Sequence, residues 1–340
     1  MCSSDLTETR FDALRAADSR AFVGREGEIA LLANRWRSAA SGEGQVVLLE
    51  GEAGIGKSRL ADEFRRSVAG DDHILLRYQC SPHFTNSAFY PFIAQLERAC
   101  QFDSCDNTDD RLDNLERLLP STTPDRARTL ALFANLLALP TDRYPLPALE
   151  PEAVKAETMD AFVRQLGVLA CDTTLLVLFE DAHWLDPTSL ELLGKLIQAG
   201  QTLPVLFVVT HRPEFRPHWS RAGFLTTLQL NRLPRRDSTT IVEAVSGGKS
   251  LPEDVVEEIL ARTDGVALFV EELTKTVLNS GALKEESDRF VLVGDFRDLA
   301  IPATLHDSLL ARLDRLGDAK DVAQVAACVG REFSFELLKE

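Results

Sequence analysis

Two rhythms of apolar residues alternate along the chain. Short, mostly apolar runs at Val46–Glu50, His73–Tyr78, Thr174–Phe179 and Val205–Thr210 read as strands buried on both faces of a parallel sheet, and a weaker run at Leu225–Leu230 fits a fifth. Between them the apolar positions recur every three or four residues, as in Ile29, Leu32 and Trp36 behind Gly24, or Leu60, Phe64 and Val68, and again over about Thr188 to Gln198. Strands alternating with helices predict βαβ crossovers and a parallel sheet covered on both sides.

Two stretches depart from that alternation. From about Phe84 to Gly167 the pattern is helical with breaks at Pro120, Pro140, Pro145 and Pro151, which predicts an all-helical insertion. Pro234 to Leu316 again reads as predominantly helical, a separate lid, with the acidic run Glu285, Glu286 and Asp288 as a solvated loop. The opening Met1–Leu6 has neither the basic nor the apolar region of a signal peptide and reads as a non-native addition. At the other end, Val322–Val329 and Phe333–Leu338 start a new element pair without a terminator, so the C-terminus reads as internal to a domain of a longer protein. The expected division is a tail over 1–18, a core over 19–233 with its insertion at about 84–167, a lid over 234–290 and a truncated further domain over 291–340.

At 340 residues the chain is long enough for two or three domains. Lys and Arg total 37 against 53 Asp and Glu, a formal charge of −16, so the surface as a whole repels nucleic acid and anionic membranes. No apolar run approaches the length of a spanning helix, and direct nucleic-acid or membrane binding is not expected. The six cysteines show no CxxC spacing and the six histidines no metal-ligand spacing; reduced thiols in a cytoplasmic protein are the expectation, and any metal is expected to arrive with a ligand.

The strongest chemical signal is Gly51-Glu52-Ala53-Gly54-Ile55-Gly56-Lys57-Ser58 followed by Arg59, which satisfies G-x-x-x-x-G-K-[ST] between a predicted strand and a predicted helix. Glycines let the backbone wrap closely around phosphate, with amides and the helix N-terminus supplying positive ends. Lys57 reaches the β and γ phosphates of a nucleotide, and the Ser58 hydroxyl ligates Mg²⁺. Such a Walker A loop predicts an acid at the end of a neighbouring buried strand, the Walker B position, and Leu175–Asp181 (LLVLFED) supplies two. Glu180 is expected to hold the metal's water shell and Asp181 to polarise an attacking water, although strand register alone does not decide between them.

With these motifs the chain from about Ala21 to Leu338 resembles the NTPase module of the STAND class of AAA+-related signalling ATPases, as found fused to class III adenylate or guanylate cyclases and to bacterial regulators. The features that carry the resemblance beyond the phosphate loop are FVGRE at Phe22–Glu26, EDAHWLDPTS at Glu180–Ser189, THRPE at Thr210–Glu214 and TDGVALFVEEL at Thr263–Leu273. It implies a P-loop NTPase sheet followed by a helical lid and the start of a winged-helix-like segment. It also implies that Val23 and Arg25 contact the adenine base and that Arg212 is a sensor arginine. The family's lid motif reads G-x-P-L; here Ala267 stands where proline is usual, between Gly265 and Leu268. His183 and Trp184 read as packing and switch residues.

The leading expectation is an ATP-dependent molecular switch with slow, regulatory, Mg-dependent hydrolysis, in which nucleotide bridges sheet and lid and ATP against ADP sets their orientation. Its partners would be ATP and ADP, a fused or associated signalling domain such as a cyclase or a transcriptional effector, and a second copy of itself in one nucleotide state. An oligomeric chemomechanical ATPase stays open, because Arg232, Arg235 and Arg236 are available as an arginine finger. So does an interaction platform that binds nucleotide without turnover. ATP is favoured over GTP because no guanine-reading NKxD motif is present. The 340 residues themselves contain no recognisable pair of cyclase aspartates, so no cyclic nucleotide is expected from them.

Overall fold

The runs at Val46–Leu49, Leu175–Phe179 and Val205–Val209 become strands because each is apolar on both of its faces and can be buried only in the interior of a covered sheet, while the more polar runs at 73–79 and 225–229 take its edges. A computed structural model describes residues 22–102, 106–146, 148–217, 219, 224–293, 322 and 325. Chain order is α1 (Glu26–Ala40), β1 (Gln45–Glu50), α2 (Lys57–Ser67), β2 (His73–Gln79), α3 (Tyr90–Ala99), α4 (Thr108–Leu118), α5 (Arg126–Leu136), α6 (Pro151–Leu169), β3 (Thr174–Glu180), α7 (Pro187–Gly200), β4 (Val205–His211) and β5 (Leu225–Gln229). After these come α8 (Arg235–Val245), α9 (Glu253–Thr263), α10 (Ala267–Leu278), β6 (Leu283–Glu285) and β7 (Phe290–Leu292). The contacts divide the chain into two units, one holding 27–51 and 57–229, the other holding the residues up to 26, 52–56 and 230 onward.

The first unit is the expected α/β fold of a P-loop NTPase. Its five strands lie in the order β2-β3-β4-β1-β5 and every pair is parallel. Glu50 of β1 lies opposite His211 of β4, and Phe179 of β3 opposite Val209, so β1, β3 and β4 end along one edge. Ligands of open parallel sheets sit beyond that carboxyl edge. All seven residues of β4 are buried, as are the last six of β3. The 84–167 segment is helical as expected, and α3, α5 and α6 close over the sheet through Phe92, Phe133 and Phe162, which meet Tyr78 and Phe179 in one aromatic cluster. Pro151 opens α6 at its first turn, where the missing N–H costs nothing, and the Asp186 carboxylate caps α7 by accepting from the amides of Thr188 (2.9 Å) and Ser189 (3.0 Å).

The second unit is built on α8, α9 and α10, whose facing sides bury Val242, Val255, Ile259, Phe269, Val270, Leu273 and Val277. Here the structure corrects the helical reading. Leu283–Leu292 is not helix but an antiparallel hairpin, with Leu283 opposite Leu292 and Glu285 opposite Phe290, so Glu285 sits in a strand. The turn closes through the Glu286 amide donating to the Arg289 carbonyl at 2.8 Å, and the hairpin is fastened by the Phe290 amide on the Ser250 carbonyl and by a Lys249–Glu285 ion pair. Gly281, with φ +79°, turns the chain out of α10 just before it. The element pair expected from Val322 onward, and with it the winged-helix-like segment, lies almost wholly outside the described residues.

The Phe22–Glu26 segment owes its shape to Gly24. Its φ is +71°, and a β-carbon there would collide with the carboxylate of Asp237 in α8. Gly24→Ala is therefore expected to destabilise this unit by about 1–3 kcal/mol, from left-handed strain plus the displaced carboxylate. A lowered urea midpoint checks this; an unchanged midpoint would show that the segment relaxes freely.

Candidate nucleotide site

The carboxyl edge of the sheet collects the charged residues of the first unit. β1 runs apolar through Val46–Leu49, all buried, and then reaches Glu50 and Gly51. On the far side of the loop α2 begins at Lys57, with no acid in its first turn, so no carboxylate of its own neutralises the positive end of its dipole. The Lys57 side chain is only 7% exposed and donates from Nζ to the Gly51 carbonyl at 2.7 Å, folding back over its own loop. Burial pushes its ammonium below the usual lysine range; Asp181 and Glu214 pull the other way, while Arg212 adds to the depression. The cation is thus held half-dry, balanced by acids, where an anion would gain most from it.

The loop itself is left-handed at Gly54 (φ +76°) and Gly56 (φ +108°). A β-carbon on Gly56 would meet nothing within 4 Å, so the glycine is required by backbone conformation and leaves open space beside it.

β3 and β4 supply the rest. Glu180 closes β3, is 7% exposed, and accepts from Arg77 Nε of β2 at 2.6 Å. Asp181 follows in a left-handed conformation (φ +56°), which turns the chain sharply off the sheet, and its amide donates to Thr210 Oγ1 of β4 at 2.9 Å. Thr210 is a lone hydroxyl in an otherwise apolar strand interior, and this bond is its use. Arg212, the first residue after β4, lays its guanidinium over the Trp184 ring, 5.5 Å from the centroid. His183 stacks at 4.9 Å on the same ring; both of its nitrogens are shielded from solvent without a protein partner, and burial holds the imidazole below its ordinary pKa. His211 is buried likewise, its Nδ1 2.8 Å from the Arg212 carbonyl and its Nε2 unpartnered.

Of the residues singled out in the sequence, the first unit therefore brings Gly51, Lys57, Ser58, Glu180, Asp181 and Arg212 to one edge, with Arg59 half-buried in the first turn of α2. Glu52, Ala53, Gly54, Ile55 and Gly56 belong to the second unit with Val23 and Arg25. There Ile55 is buried, Ala53 is exposed, Gly54 accepts the Leu268 amide at 3.0 Å, and Val23 is half-buried. Arg25 is buried and donates to the Asn231 carbonyl at 2.6 Å, an anchoring contact that its sequence position did not indicate. Arg77 and Thr210 also escaped the sequence reading. Each carried one faint signal, a polar residue inside an apolar strand.

The residues that the first unit gathers at this edge fit a Mg·nucleotide by their chemistry: a desolvated ammonium, a helix N-terminus with no acid in its first turn and orphaned imidazole nitrogens. Ser58 and Glu180 would hold the metal. Among the described residues no three His, Cys, Asp or Glu side chains gather into a group that could hold a metal ion. Among the described residues no helix is long and apolar enough to cross a membrane.

Comparison with known proteins adds three findings. A family model described as AAA ATPase domain matches residues 21–209. An uncharacterized protein of Rhizobium meliloti (strain 1021) is 29% identical over 319 residues, which is 93% of this chain but 30% of that protein, so the chain spans under a third of the relative's length. A chain from the structure of the E. coli MS115-1 HORMA:CdnC:Trip13 complex is 13% identical, with 88% of this chain and 90% of that chain covered and a TM-score of 0.43.

Proposed function

Because the chain belongs to the AAA ATPase domain family, we propose that it works as an ATP-binding, slowly hydrolysing switch module within a larger signalling protein. Family membership supplies the nucleotide-binding ATPase. The switch role rests on one observation, the clustering of Lys57, Asp181, Arg212 and Trp184 around the edge where β1, β3 and β4 end.

In this reading the phosphate loop and Lys57 bind the triphosphate, and Lys57 exchanges its own-loop carbonyl for phosphate oxygens. Asp181 accepts the proton of the attacking water, and its left-handed backbone, locked by Thr210, fixes where the carboxylate stands. When bound, Mg²⁺ supplies Lewis-acid stabilisation of the phosphate charge, held by Ser58 and Glu180. Arg77 orients Glu180 by its ion pair. Val23 and Arg25 contact the base. Arg212 reads the terminal phosphate: its planar fork suits phosphate oxygens, and its perch on Trp184 is a cation–π contact that it can leave at modest cost. A group that meets ATP but not ADP is what lets hydrolysis move a conformational equilibrium. The output in this reading is a fused or associated signalling domain, a cyclase or a transcriptional effector.

Arg212→Ala tests the switch. ATP affinity should fall by about 10-fold to 100-fold, the worth of a charged hydrogen bond, while ADP affinity stays level. The difference in protease sensitivity of residues 234–293 between the ATP and ADP states should vanish. Equal loss of both nucleotides by calorimetry would sink the sensor role, and a wild-type chain that binds neither would sink the function.

A further inference from the structure

Residues 231–237, which lead into α8 and form its first turn, are a meeting point for three segments that the sequence scatters. The Asn231 carbonyl receives Arg25, and Asp237 packs on Gly24, both of the FVGRE segment. The Leu233 amide donates to the Gly265 carbonyl at 2.9 Å, in the turn before α10. Arg232 stands between these and reaches two carboxylates: one guanidinium nitrogen lies 3.2 Å from Glu52 Oε2 of the phosphate loop, and the other is paired with Asp264. Two residues along the loop, Gly54 accepts the Leu268 amide from the first turn of α10. All of these residues belong to the second unit.

We infer that Arg232 is a positioning residue for the phosphate-binding loop, a latch that ties Glu52 to Asp264 and slows the loop's opening during nucleotide exchange. The inference rests on the nucleotide-binding reading above and concerns how that site is regulated. A guanidinium suits the task because its flat fork engages two acids at once, which a lysine's single ammonium holds less well. Asp264 and Gly265 are consecutive left-handed residues, φ +46° and +72°, and a β-carbon on Gly265 would collide with the Leu233 carbonyl. The anchor end of the latch is therefore built on a backbone turn with little freedom.

The loop end is different. Glu52 is 58% exposed and Arg232 48%, so water and salt compete for the pair and it can open. Both arms of Arg232 are engaged within its own chain, as is Arg235 by Glu257, which gives these two arginines a use other than an arginine finger offered to a neighbouring subunit.

The experiment has two arms. Release of a fluorescent ADP analogue is followed by stopped flow for wild type, Arg232→Ala, Glu52→Gln and the double variant. Each single change should speed release about 2- to 5-fold, the double should go no further than either, and only the wild-type rate should rise with salt. Hydrogen exchange on the nucleotide-free proteins should show the amides of 52–56 and Leu268 exchanging a few-fold faster in both single variants. Unchanged release from proteins that bind the analogue, or additive effects of the two changes, would overturn the latch. If the wild type binds no analogue the nucleotide reading falls instead, and the exchange arm alone decides: protection at 52–56 that is the same in all four proteins overturns the latch.

Discussion

Lys57→Ala should lower ATP affinity by about 100-fold or more, the largest effect of any single substitution in this chain. The reason is the setting of the ammonium more than its charge. Lys57 is 7% exposed and donates to the carbonyl of Gly51 in its own loop, so much of its desolvation has been met before a ligand arrives. A phosphate landing there gains a charged contact in a region of weakened screening. The same substitution should not make the empty protein less stable. A lysine whose native pKa lies below its unfolded value is charged at a cost at neutral pH, and removing the ammonium removes that cost along with the contacts it makes. Isothermal calorimetry with ATP and a thermal unfolding scan together separate the two effects; equal ATP affinity in both proteins would dismiss Lys57 as a phosphate ligand. Lys57→Arg should rescue little, because a fork in place of a point charge cannot follow the same path back over the loop.

Asp181→Asn should leave ATP binding within a few-fold of wild type and slow hydrolysis by about 100-fold or more, the usual worth of a positioned general base. Asparagine is the appropriate change because it tolerates the left-handed backbone that Asp181 adopts, so the bond from its amide to Thr210 survives and only the proton acceptor is lost. Glu180→Gln should act differently. It breaks the charge pairing with Arg77 and should raise the Mg²⁺ concentration needed for half-maximal activity. Single-turnover phosphate release across a magnesium series distinguishes the two. A larger catalytic loss in Glu180→Gln, with binding intact, would exchange the roles of the two acids.

The strand, glycine-rich loop and helix at 45–67, the five strands and the helices between 84 and 169 were all legible in one dimension, because each depends on residues near one another in the chain. A parallel strand buried on both faces must be largely apolar, as Val205–Val209 is, and a phosphate loop must place its glycines and lysine at fixed spacing whatever surrounds it. The hairpin at 283–292 escaped because strands of three residues are too short to show a period of two, and its stability comes from Ser250 and Lys249, over thirty residues upstream. The partners of Arg77 and Arg25 were equally hidden. A cation inside an apolar strand is unexplained until β2 is set beside β3 and Glu180 comes into reach, 103 residues away in sequence. The guanidinium of Arg25 likewise meets the carbonyl of Asn231, 206 residues on. Sequence alone determined the chemistry available, since that follows from residue type and local backbone. Only the tertiary structure decided which charge answers which, because ion pairs and hydrogen bonds act over a few ångströms in space and leave no periodic trace along the chain.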